Sequence, residues 1–179
     1  MKTVKILAAI ASTVMLTAVV SFADSNNPPE AAPPAPAAPA PETSYPIQLA
    51  LAPPVQLVNQ DYSITGLRLN IYGSNKNVFG VDIGLMHESL QDFHGVAFGL
   101  LSFVHNDARG LQFDGIYSGV DKRMSGLQLG IVNRAGDMHG LQLGLANFAS
   151  DATGIQIGLW NEIDNKPSWN VIPIINAAF

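Results

Sequence analysis

From residue 66 onward, large apolar residues return at every second position in short bursts, and each burst opens on a glycine. The openings are Gly66, Gly80, Gly95, Gly110, Gly126, Gly140 and Gly154, spaced 14, 15, 15, 16, 14 and 14 residues apart. The clearest copies are Gly126-Leu127-Gln128-Leu129-Gly130, Gly140-Leu141-Gln142-Leu143-Gly144 and Gly154-Ile155-Gln156-Ile157-Gly158. With the first glycine as position zero, positions one, three and five are large and apolar at 20 of 21 sites, Gly115 being the exception. Positions two and four hold mostly glutamine, glycine or a charge. Period two is the mark of a β-strand with two unlike faces, and a helix would not keep its apolar side at this spacing. A repeat of this length reports architecture before chemistry.

The charges respect the same division. Within positions zero to five only Arg68, Asp82 and Asp114 are charged, and all lie on the glycine-glutamine face. The remaining charges fall between bursts or at their edges. Connectors such as Arg134-Ala135-Gly136-Asp137 and Ala149-Ser150-Asp151-Ala152 predict tight turns, with Asn133, Asn147 and Asn161 closing the strands where asparagine tolerates a left-handed turn. Each repeat then supplies one strand and one turn, which suits an antiparallel meander. Flanking strands are predicted at Ile47, Leu49 and Leu51, ending at Pro53-Pro54, and over the segment from Trp169 to Phe179.

Side-chain volume bears on which face points inward. A closed eight-stranded barrel of the TIM type holds about twelve interior side chains, and twenty large apolar ones would overfill it. Leucines outside and a narrow glycine-glutamine lumen is the inverted pattern of an outer-membrane barrel. The expected fold is therefore all-β, an antiparallel meander closing as a small barrel of about 8–10 strands. Against this, three alternate apolar sites span roughly 13 Å of strand, thinner than the apolar band of about 25 Å in such barrels. A β-solenoid with identical residues stacked in ladders is the alternative.

Residues 1–23 read as a secretory signal peptide: Lys2 and Lys5, an apolar run from Ile6 to Val20, and a small-x-small site at Ser21-Phe22-Ala23. Residues 24–44 read as a stiff Pro/Ala-rich linker, and residues 45–179 as one repeat domain. No cysteine occurs, which excludes a disulfide framework and thiolate metal sites. Without Lys2 and Lys5, seven basic residues face 14 acidic ones, a net charge of about −7. Nucleic acid is excluded as a partner on that balance.

The run Gly66-Leu67-Arg68-Leu69-Asn70-Ile71-Tyr72-Gly73, the segment Asn75 to Leu85 and the repeated Gly-Leu-Gln-Leu-Gly-Leu-x-Asn resemble the leptospiral-type surface-repeat family of bacterial secreted or envelope proteins. The resemblance covers the whole repeat domain and implies a cell-envelope location. It implies no activity, so no site residue is carried over from it. One departure is Asp114-Gly115, which indicates a weakened strand or a bulge.

No phosphate loop, metal motif or nucleophile elbow is present. His87, His94, His105 and His139 lack metal spacing and read as solvated histidines near turns. Arg68 and Asp82 share position two of adjacent repeats and are expected side by side as a buried ion pair. With Gln112, Asp114, Gln128, Gln142 and Gln156 they would line a polar lumen, the glutamines forming a hydrogen-bond ladder. Tyr72, Phe103, Tyr117, Phe148, Trp160 and Trp169 lie near strand ends, where they could form interfacial girdles or shield turns. The expectation is a non-enzymatic envelope protein without cofactor or metal, exported and associated with the outer membrane. The alternative is a secreted or surface-exposed binding module whose leucine face is an internal core.

Overall fold

The computed structural model of the chain describes residues 42–179. The signal peptide read at residues 1–23 and most of the linker read at 24–44 lie outside the described residues. Ten strands build the domain: β1 (Ser44–Ala52), β2 (Val55–Gln56), β3 (Ser63–Asn75), β4 (Val78–Ser89), β5 (Phe93–Val104), β6 (Ala108–Leu129), β7 (Val132–Leu143), β8 (Ala146–Gly158), β9 (Trp160–Ile163) and β10 (Ile174–Ala178). They follow one another in the order β10-β8-β7-β6-β5-β4-β3-β1-β2, with β9 paired to β8.

The pairings from β1 through β3 to β9 are parallel. Only the β1–β2 and β8–β10 pairings are antiparallel. The chain is a β-solenoid of about seven turns, which corrects the expected antiparallel meander and β-barrel. In a meander neighbouring strands run in opposite directions. Here each repeat lies on the preceding one in the same direction, Gly140 on Gly126, Leu141 on Leu127 and Gln142 on Gln128.

The reason lies in the connectors. Arg134–Asp137 falls inside β7 and Ala149–Ala152 inside β8. These segments are extended chain that forms a second wall, so each coil has two walls and an interior between them. Apolar columns enter that interior from positions outside the glycine phrase. Two residues before the glycine stand Ile64, Val78, Phe93, Ala108, Met124 and Met138, all buried. The second wall contributes Val104, Val120, Ala135, Ala149 and Ile163, also buried and stacked in register. Most of these form the hydrophobic core.

The leucine face points away from this core. Leu129, Ile131 and Leu145 are 40%, 47% and 55% exposed, which corrects the alternative in which that face is internal. The glycine-glutamine face points inward, as expected for a narrow interior, though the enclosure is a coil and not a barrel.

The seven opening glycines stack, with φ between 126° and 154°, values that side-chain-bearing residues rarely adopt. A Cβ on any of the last six would overlap the carbonyl oxygen of the glycine below it. The register between β5 and β6 slips at Gly99/Leu101, opposite Asp114–Tyr117. That is a bulge at the sequence departure Asp114-Gly115.

Candidate functional site

The seven residues expected to line a polar lumen, Arg68, Asp82, Gln112, Asp114, Gln128, Gln142 and Gln156, are all fully buried. Six of them stack in one inner column at position two of their repeats, and Asp114 lies inside at position four, opposite Gly99. Gln128 donates to Gln112 Oε1 at 3.2 Å, Gln142 to Gln128 Oε1 at 2.8 Å and Gln156 to Gln142 Oε1 at 2.8 Å. A second ladder runs beside it, from Asn133 to Asn147 at 2.8 Å and from Asn147 to Asn161 at 2.7 Å. Asn133 and Asn147 also donate to the carbonyls of Leu143 and Ile157, each at 2.9 Å. These asparagines therefore satisfy first-wall carbonyls from inside, where strand-closing turns were expected. The signal for them was the recurrence of asparagine at position seven.

The first coils replace the amides with charges. Arg68 pairs with Asp82 through Nη2 and Oδ2 and donates to the Glu88 carbonyl at 2.8 Å. Asn70 donates to Asp82 Oδ1 at 2.8 Å. His87 places Nδ1 2.9 Å from the same oxygen and Nε2 3.1 Å from the Phe98 carbonyl. Burial alone raises the Asp82 carboxyl, but the Arg68 charge and the hydrogen bonds from His87 and Arg68 outweigh it and hold it at about 2. His87 is buried, not solvated as expected. Gly99 makes room for it, since a Cβ there would overlap the imidazole.

Asp114 stands apart from this network. Neither carboxylate oxygen has a hydrogen-bond partner of ordinary geometry. Burial pushes its carboxyl up to about 6; nearby Ser118 and His87 lower it and the Asp82 charge adds to the rise. The remaining histidines are at the surface. His105 lies 2.9 Å from Asp121 and 3.2 Å from Glu88, and His139 lies 3.0 Å from Asp137. Among the described residues no cluster of three or more His, Asp or Glu is placed to hold a metal ion. The interior ladders thus tie successive coils in register, and their side chains are shielded from solvent.

The accessible chemistry is on the outer wall. Apart from Gly115, positions one, three and five of seven stacked coils carry aliphatic residues and the stacked pair Phe98–Phe113, whose ring centroids are 5.1 Å apart. No charged side chain points outward within it, because Arg68, Asp82 and Asp114 point inside. Ile47, Leu49 and Leu51 of β1 and Ile175 of β10 extend it at the two ends. At its margin an in-register column runs through Tyr72, Met86, Leu101, Tyr117, Val132, Ala146 and Trp160. Three of the aromatics expected in girdles, Tyr72, Tyr117 and Trp160, belong to it, and Phe103 packs on Tyr117 with centroids 5.3 Å apart. A groove of 630 Å³ where β1 and β2 meet the wall is lined by Leu49, Leu51, Val55, Leu57, Leu69 and Ile71.

No protein-family model, curated protein or solved structure matches the chain.

Proposed function

We propose that this protein is a non-enzymatic component of a bacterial cell envelope, held at the outer membrane or cell surface, where its uncharged wall is a docking face. The observation that carries this is the exposure of that wall. Strands about 4.8 Å apart and a strand span of roughly 13 Å give seven coils a footprint on the order of 400 Å² before side-chain relief is counted. The largest apolar patch on a monomeric protein is commonly about this size and is often functional. Covering it is worth about 10 kcal/mol gross at 25 cal/mol per Å², part of which association itself consumes.

Three further features support the envelope. The first residues have the pattern of an export signal. The repeat resembles surface-repeat proteins. The acidic surplus lies on the second wall and the corners, away from the docking face. The closed interior, whose ionisable groups are shielded from solutes, supports a structural role over catalysis.

Cell fractionation tests the reading. The protein should sediment with outer membranes and stay there through high-salt and carbonate washes. Recovery in the cytoplasm, or as a freely soluble periplasmic monomer, would overturn it.

A further inference from the structure

We propose that the occupant of the wall is a lipid bilayer, on which the solenoid lies flat with its strands parallel to the membrane plane. The inference rests on the docking reading above, and it names the partner.

A surface in contact with hydrocarbon must leave no backbone polar group unpaired. The first-wall strands satisfy theirs sideways, to the coils above and below, and the asparagine ladder takes up carbonyls at Leu143 and Ile157 from inside. What projects outward is Leu, Ile, Val and Phe. A protein partner would not need so complete an absence of polar atoms.

A band of roughly 13 Å is too thin to span a bilayer. Laid flat, the same side chains reach one residue deep, which matches the roughly 5–10 Å burial of proteins that lie in one leaflet.

Apolar surface does not stop at the wall. Leu57, Leu159, Trp169, Ile174 and Phe179 are the most exposed large side chains among the described residues, and the β1–β2 groove is concave. A second copy pressing an identical wall face to face would have to match that groove and those ends, because a two-fold interface must be self-complementary. A fluid hydrocarbon layer fills them without such matching, and Trp160 at the margin suits the headgroup level. The chain preceding the solenoid also enters through β1, whose Ile47, Leu49 and Leu51 are part of the same surface. Acidic groups on the far wall make binding independent of anionic lipid.

The test uses the full-length protein as recovered from cells, mixed with zwitterionic phosphatidylcholine vesicles. The protein should float with the vesicles, and its tryptophan emission should shift to the blue, equally at low salt and at about 0.5 M, where charge attraction is screened. The pair Leu129→Asp with Leu143→Asp should lower partitioning by roughly a hundredfold. The milder pair Ile131→Ser with Leu145→Ser should lower it by about tenfold, and the parent emission shift needs no variant at all. The proposal is overturned if the parent stays unbound with unshifted emission, if it binds only anionic vesicles and is released by salt, or if it is a dimer that wall substitutions split and vesicles do not. Absence from envelope fractions in cells would refute the location alone; failure to float would refute the lipid alone.

Discussion

Gln142 donates to Gln128 across one coil at 2.8 Å and accepts from Gln156 at the same distance. It is an interior rung with no exposure to solvent. Replacing it with leucine removes both rungs and leaves the Gln128 oxygen without that donor. Each buried polar group left unpaired costs about 1–3 kcal/mol. Gln142→Leu should therefore lower stability in urea melts by about 2–4 kcal/mol, although leucine is more apolar than the residue it replaces.

Gly140 and Gly115 separate two kinds of glycine. Gly140 has φ of 133° and lies on the Gly126 carbonyl. Gly140→Ala should cost about 3 kcal/mol or more, from strain and overlap together. Gly115 has neither constraint, and an added Cβ meets the flexible end of Leu100 at 3.0 Å and the Gly99 carbonyl oxygen at an ordinary 3.7 Å. Gly115→Ala should change the melting midpoint little, or raise it.

The two buried aspartates give opposite pH dependences. Asp82 is held at about 2 in the fold, so its contribution is complete above its ordinary value of about 4 and is lost as pH falls toward 2. Asp114 is raised to about 6. Between about pH 4 and 6 the unfolded chain ionises while the fold keeps its proton, so stability falls with rising pH by about 3 kcal/mol and then levels off. Together they place maximal stability near pH 4. Asp114→Asn should abolish the decline between pH 4 and 6 and make the variant the more stable form at pH 8, as measured by urea titration across that range.

Arg68→Met strands the Asp82 charge in the interior and should cost about 3–5 kcal/mol. Adding Asp82→Asn removes the stranded charge, so the double variant should recover part of that loss. A double-mutant cycle reads the coupling.

Much of this site was legible beforehand. The alternation at Leu127, Leu129 and Ile131 specified a strand with an apolar and a polar face. Arg68 and Asp82 fell at the same position of adjacent repeats, and the glutamines fell in one row. Direction was not legible, because parallel and antiparallel pairing of those rows place the same residues side by side. The connectors decide between them, and their interior residues are few and mostly small. Ala135 and Ala149 sit among charges and glycine, without the alternation of a strand. Met124 and Met138, just before the phrase, become a visible column only when the repeat is extended two residues upstream. Orientation was legible in the leading expectation, leucines outward and amides inward: the residues with the largest apolar area face outward, while alanines, methionines and hydrogen-bonded amides fill a narrow interior.

The central claim is that the leucine wall faces outward and the methionine column inward. Urea melts of Leu129→Asp and Met138→Asp, each in detergent-free buffer, test it most directly. Leu129 is 40% exposed and Met138 fully buried. The outward wall predicts that Leu129→Asp melts within about 0.5 kcal/mol of the parent, as surface changes do, while Met138→Asp loses about 4 kcal/mol or fails to fold. Collapse of Leu129→Asp with tolerance of Met138→Asp would contradict it.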